Sequence, residues 1–121
     1  MRKFLISLIF IVSLTITGFS QKPKDGTYTY DLAFAEWGGK TNGTTVLVKI
    51  KGDSIYVILK GGNLSGVQKG DIIEKGILMK HKPTGKWIIG HSAEDKNAKE
   101  IGGCSEGPTE IDFKRKRVWT C

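Results

Sequence analysis

The chain has 121 residues, a formal net charge of +7 and two cysteines. This length excludes a multidomain architecture, and it lets a single domain bury a modest core without depending on several disulfides. The positive charge argues against partners that are themselves basic.

Residues 1–20 have the features of a secretory signal peptide. Arg2 and Lys3 precede an uncharged apolar run, and the small residue Ser20 ends it at a suitable cleavage site. The run is shorter than the roughly 20 apolar residues of a spanning helix, so we expect cleavage and no membrane span afterwards. Loss of the two basic residues would leave a soluble domain, residues 21–121, with a charge of +5. We therefore expect a secreted or periplasmic protein.

The two cysteines, Cys104 and Cys121, both belong to this domain. An even cysteine count in an exported chain predicts one disulfide. Closing a loop of about 17 residues would contribute roughly 3 kcal/mol in the chain-entropy model. The alternative, a reactive thiol at Cys104, needs a nearby base and a reducing compartment, and the sequence indicates neither.

Alternation of apolar and polar residues predicts three strands in the first half of the domain. They lie in residues 27–36, in residues 44–51 and in the run that follows Gly52-Asp53. The Gly-Asp pair predicts a hairpin between the second and third strands. Two glycine-rich stretches, residues 38–43 and 61–70, predict loops.

The next strand, residues 71–81, is interrupted by Gly76. This glycine predicts either a bulge or the tip of a tight hairpin, and the sequence does not choose between them. Residues 82–85 predict a turn, and residues 86–91 predict the returning strand.

Residues 92–101 predict one short helix of about two turns. Ser92 is a suitable cap, acidic residues follow it, and Gly102-Gly103 can end the helix. Residues 111–120 then predict a final hairpin.

The predicted fold is all-β, with seven or eight short strands in a small antiparallel up-and-down barrel or a curled sheet. Sequential hairpins favour these arrangements over a parallel fold. Strands this short favour an interior filled by side chains. The order of elements looks like that of small lipocalin-type barrels, which is an architectural analogy only.

Three segments of the C-terminal third, residues 80–90, 94–98 and 101–104, carry a resemblance to known sequences. In these segments the chain resembles uncharacterised small exported proteins of Bacteroidetes-type bacteria. It implies an export context and carries over no activity and no functional residue.

Metal and acid–base sites would require the histidines or a pair of acids. In a symmetric hairpin, His81 faces Lys86 and His91 faces Gly76, which places the two imidazoles about 10 to 17 Å apart. Two ligands of one zinc cannot be so distant, so we predict no metal site and no cofactor. We interpret each histidine as a surface residue at a strand end.

Two features are candidate binding sites. Trp37 adjoins a glycine-rich loop, where an indole can stack on a ligand or close the end of a barrel. The run Lys114, Arg115, Lys116 and Arg117 could hold an anionic ligand or an acidic protein, or it could be a solvated turn that protects a sheet edge. Nucleic acid is a poor fit, because no aromatic residues are interleaved with these charges.

No catalytic motif is present, so we expect a non-enzymatic binding or interaction domain whose partner the sequence leaves unknown. The alternatives are a small secreted hydrolase that uses His81 or an unrecognised carboxylate, and a structural envelope protein without a ligand.

Overall fold

The computed structural model describes residues 21–121, and the predicted leader lies outside them. Within these residues, seven strands form one sheet that closes into a barrel. The strands are β1 (Gly26–Phe34), β2 (Lys40–Lys51), β3 (Ser54–Gly61), β4 (Ile72–Lys80), β5 (Trp87–Gly90), β6 (Thr109–Asp112) and β7 (Arg117–Thr120). The predicted small all-β barrel is confirmed.

Each strand pairs antiparallel with the next, and β1 closes the barrel by pairing parallel with β7. The parallel closure follows from the odd strand number, because alternating strands give the first and the last the same direction. A lipocalin-type barrel, with which the order of elements was compared, has eight strands. The seven-stranded barrel of this chain therefore differs from it in strand number.

Alternate side chains of the strands fill the interior, as their short length predicted. Residues such as Val46, Val48, Ile55 and Val57 are fully buried. The buried hydrophobic side chains are Tyr30, Leu32, Ala33, Phe34, Val46, Val48, Ile50, Ile55, Val57, Leu59, Leu78, Ile88, Ile89, Ile111, Phe113 and Val118. A sheet with one apolar face per strand can hide that face only by curling around it.

An aromatic cluster fills one end of this core. The ring of Tyr30 lies 6.4 Å from that of Tyr28 and 6.2 Å from that of Phe113, and Phe113 lies 5.8 Å from Trp87. These separations are typical of packed aromatic pairs. Burial, with smaller contributions from Tyr28 and Asp112, raises the pKa of Tyr30 to about 12.

Gly76 is neither a hairpin tip nor the bulge itself. It lies within β4, opposite Ile55, and the register shift occurs earlier in the strand. There Glu74 pairs with Val57 and Ile72 pairs with Ile58, so Ile73 is the extra residue. Glycine is required at position 76 because an added Cβ would collide with the carbonyl of Gly90.

The predicted helix over residues 92–101 is too long. The segment forms only a short 3₁₀ helix, Ala93–Asn97, and Ala98 is already extended. The Lys82 N–H donates to the Lys96 carbonyl, and the chain is thereby tied to the β4–β5 turn instead of continuing as a helix. A 3₁₀ segment of this length is near the usual limit.

The predicted loop over residues 38–43 is also too long. A 3₁₀ turn, Ala35–Trp37, follows β1, and β2 begins at Lys40. Thr41 pairs with Ala33 and Lys40 with Phe34, so backbone pairing extends into the glycine-rich stretch.

The interpretation of His81 as a surface residue is wrong, since it is only 2% exposed. Its Nε2 lies 2.6 Å from the Ala98 carbonyl and its Nδ1 lies 2.9 Å from Thr84 Oγ1. Because a carbonyl only accepts, Nε2 donates to Ala98, and in the neutral ring Nδ1 accepts from the Thr84 hydroxyl. Thr84 Oγ1 in turn accepts from the Lys86 N–H. His81 therefore holds the β4–β5 turn against the 3₁₀ segment.

The predicted disulfide between Cys104 and Cys121 is present, with Cα atoms 4.8 Å apart. It ties the long β5–β6 connection to the residue after β7. None of the helices in residues 21–121 is long and apolar enough to cross a membrane.

Candidate binding cleft at the open end of the barrel

The two ends of the barrel differ in how they are closed. The β2–β3, β4–β5 and β6–β7 turns share one end, which the aromatic cluster fills, and we call it the closed end. The β1–β2, β3–β4 and β5–β6 connections share the other, which we call the open end. The β3–β4 loop, residues 62–71, packs Leu64 against the core there.

At the open end the wall of the barrel is incomplete. β5 pairs only with residues 77–80 of β4 and ends at Gly90, whereas β4 begins at Ile72. Among residues 21–121, no strand pairs with the β5-facing side of residues 72–75. The chain leaves the wall at His91 and returns only at β6. We call the resulting opening between β4 and residues 106–108 the wall gap.

A polar cluster bridges the wall gap. The Thr109 hydroxyl donates to Glu74 Oε2 at 2.9 Å, and His91 Nε2 lies 3.3 Å from Glu74 Oε1. The carboxylate faces inward because Glu74 shares strand parity with the buried Leu78 and lies opposite the buried Val57, in the regular part of the pairing between β3 and β4. Asp95, which also lines the wall gap, accepts from the His91 backbone N–H at 2.7 Å.

The order of this cluster differs from that of a hydrolytic triad. In a triad, the imidazole lies between the nucleophile and the carboxylate and takes the proton of the nucleophile. Here the carboxylate of Glu74 is central, and the Thr109 hydroxyl is bonded to it and not to His91. No group of three metal-binding side chains occurs in residues 21–121. The arrangement presents a carboxylate and an imidazole to a ligand.

Glu74 lines three cavities that meet at this corner. A cavity of about 440 Å³ opens into the barrel between Leu32, Ile73 and Val118, and we call it the mouth cavity. The wall gap itself holds a cleft of about 350 Å³, lined by His91 and residues 106–108. An outer groove of about 780 Å³ runs along the solvent side of β4.

The outer groove is apolar and basic. Tyr56, Ile72 and Ile77 line it and are three of the four exposed large hydrophobic side chains in the described residues. Lys49 and Lys75 flank Tyr56 on the neighbouring strands. Glu74, which faces inward, is the only acidic residue in β2, β3 and β4.

The predicted site residues do not form one site. Trp37 lies in the β1–β2 connection at the open end, 49% exposed, with its ring 4.9 Å from that of Phe34. One face of the indole thus covers the core, and the rest remains accessible. Lys114, Arg115 and Lys116 lie in the β6–β7 turn at the closed end.

The basic run is partly used in local contacts. The Arg115 N–H donates to Asp112 Oδ1 at 2.9 Å, and the Arg115 guanidinium lies 4.0 Å from the same carboxylate. The Arg117 side chain donates to the Gly39 carbonyl at 3.3 Å. Lys114, Arg115 and Lys116 remain exposed, so the tip presents three cations and not a cluster of four.

Sequence reasoning missed Glu74, His91 as its neighbour, and Thr109. One signal was present, since Glu74 is a lone acid in an apolar run immediately before Gly76. Strand alternation with Leu78, four residues later, places Glu74 on the inward face, whereas Thr109 is 35 residues away in the chain.

Comparison with known proteins gives no match to a family model, to a curated protein or to a solved structure. The site must therefore be interpreted from its own geometry.

Proposed function

We propose that the chain is an exported, non-enzymatic binding domain whose ligand enters the open end beside Glu74. The observation that carries this proposal is the meeting of an apolar cavity with a partly exposed carboxylate at one corner. The Glu74 side chain is 27% exposed, next to Leu32 and Val118, which are almost fully buried. Binding sites generally combine an apolar surface with a few placed polar groups in this way.

The chemistry of the corner indicates the kind of ligand. Glu74 accepts hydrogen bonds from Thr109 and retains further acceptor sites, since each carboxylate oxygen has two lone pairs. A ligand with an apolar part and an N–H or cationic group would match both halves of the corner. The disulfide supports an oxidising compartment, in agreement with a secreted or periplasmic location.

Binding is favoured over hydrolysis by the positions of the titratable groups. His81, the histidine considered for catalysis, is buried and uses both ring nitrogens in structural hydrogen bonds. At the open end, the hydroxyl is held by the carboxylate instead of by an imidazole.

The test is a fluorescence titration with N-phenyl-1-naphthylamine, which has two apolar ring systems and one N–H. We expect the native domain to enhance the fluorescence of this probe in a saturable way. Ser65→Phe, whose larger side chain would fill the mouth cavity from the β3–β4 loop, should lower the affinity for the probe at least fivefold. Glu74→Gln, which keeps the side-chain size and removes the charge, should weaken binding by a smaller factor.

Thr27→Phe is the matched control, because Thr27 is exposed on β1 and lines none of the three cavities at Glu74. Its titration should equal that of the native domain. Fluorescence that does not rise, or that rises equally in Ser65→Phe, would contradict the proposed site.

A further inference from the structure

We infer that the ligand of the open end is an extended peptide segment of an acidic partner, which adds a strand to β4 in the wall gap. The inference rests on the proposed function, because it names the ligand of that same corner. It starts from the unpaired side of residues 72–75, where β4 continues and β5 does not.

The unpaired segment has the dimensions of a strand-addition site. Four residues of β4 span about 13 Å, and two interstrand spacings of about 4.8 Å separate strands on either side of a missing one. The wall gap lies where a strand pairing with residues 72–75 would continue the line of β5, and a peptide entering it would displace the Glu74–Thr109 hydrogen bond that crosses it. An open edge with unpaired peptide groups is a template for a further strand.

The two larger cavities lie on opposite sides of this edge. The mouth cavity is on the inner side, next to Leu32 and Val118, and the outer groove is on the solvent side, next to Tyr56 and Ile77. Residues 72–74 line both cavities. Side chains of an extended strand point alternately to its two faces. A peptide in the wall gap would therefore place alternate side chains in the two cavities, while its backbone pairs with β4.

Charge identifies the chemistry of the outward-facing side chains. On the β4 side of the gap, Lys75 lines the outer groove, Lys49 lies one strand beyond Tyr56, and the outward positions of β2, β3 and β4 carry no acid. Asp95 and Glu106 line the wall gap itself, so the complementary charge is confined to the outward face over β4. Acidic residues of a partner would meet complementary charge there. A second copy of this chain would instead bring the same lysines against one another, so an acidic partner is favoured over self-association.

The test uses a synthetic seven-residue peptide that alternates Val with Glu, added to the oxidised domain. We expect the amides of this segment that face the wall gap, including that of Lys75, to become at least tenfold more protected from hydrogen exchange, whereas the Glu74 N–H, which points to β3, should not change. A peptide of the same composition with the Val and Glu residues in separate blocks should give no protection, because it cannot present one apolar face.

Two N-methylated forms of the peptide test backbone pairing directly. Methyl groups on alternate amides block one edge of a strand and leave the other free, so one form should lose affinity at least tenfold and the other should bind. Lys75→Glu should weaken binding at least fivefold. Lys49→Glu changes the net charge equally at a position farther from the wall gap, and it should have a smaller effect.

The outcomes separate this inference from the proposed function. If N-phenyl-1-naphthylamine binds as expected but the alternating peptide does not bind up to about 1 mM, or both N-methylated forms bind equally, strand addition is wrong and the mouth site stands. If neither probe binds, both proposals fail. Protection of the same amides without peptide, increasing with protein concentration, would identify a second copy as the occupant and overturn the peptide.

Discussion

Replacing Gly76 with alanine tests why β4 and β5 approach each other where the wall opens. The added Cβ would lie 3.0 Å from Ile89 Cγ2 and 3.3 Å from the Gly90 carbonyl carbon, and the Gly90 oxygen would be closer still. Ile89 is buried and Gly90 is backbone, so neither can move without shifting β5. Overpacking of this kind costs about 1 to 3 kcal/mol.

We therefore expect Gly76→Ala to lower the free energy of unfolding by about 2 kcal/mol, which is a fall in Tm of about 10 °C for a domain of this size. The measurement is urea denaturation followed by tryptophan fluorescence. An unchanged slope with a lower midpoint would locate the effect in the native state.

Gly61→Ala is the matched control in a neighbouring strand. Gly61 lies at the end of β3, and the nearest atom to an added Cβ is Thr45 Oγ1 at 3.8 Å, an ordinary contact. This substitution should be neutral or stabilise by up to about 1 kcal/mol, because alanine restricts the unfolded chain. Equal stability of Gly76→Ala and the native domain would refute the close approach of β4 to Gly90.

Three further substitutions test other parts of the structure. Replacing Cys104 and Cys121 with serine should cost about 3 kcal/mol, measured by denaturation against the oxidised domain, and a loss below about 1 kcal/mol would contradict the loop-closure argument. Burial raises the pKa of Tyr30 to about 12, so its neutral form stabilises the fold below the unfolded pKa of about 10, and this contribution is lost as pH rises from there through 12. In Tyr30→Phe, the loss of stability between about pH 10 and 12 should be smaller than in the native domain. The same dependence of stability on pH in both proteins would contradict the raised pKa of Tyr30. His81→Ala should cost about 2 to 4 kcal/mol by leaving the Ala98 carbonyl unpaired and a cavity in the turn, whereas His91→Ala, at an exposed position, should change stability by less than about 0.5 kcal/mol.

Local pattern determined most of the fold from the sequence alone. Alternation in β1, β2 and β3 specified which side chains face inward. Successive side chains of a strand point to opposite faces, and the apolar face is buried by the hydrophobic effect. The Gly52-Asp53 hairpin and the disulfide followed from short-range turn chemistry and from cysteine count in an exported chain. Each of these inferences needs only residues that are neighbours in the chain, or the even number of cysteines.

Tertiary structure decided the features that depend on where distant segments meet. The burial of His81 depends on Ala98, 17 residues away, and the hydrogen bond of Glu74 depends on Thr109, 35 residues away. The 92–101 segment leaves a longer helix where the Lys96 carbonyl accepts from the Lys82 N–H, a contact with a distant turn. The wall gap exists because β5 stops at Gly90 while β4 continues, and strand lengths in a barrel are set by pairing across the sheet, which no single segment encodes.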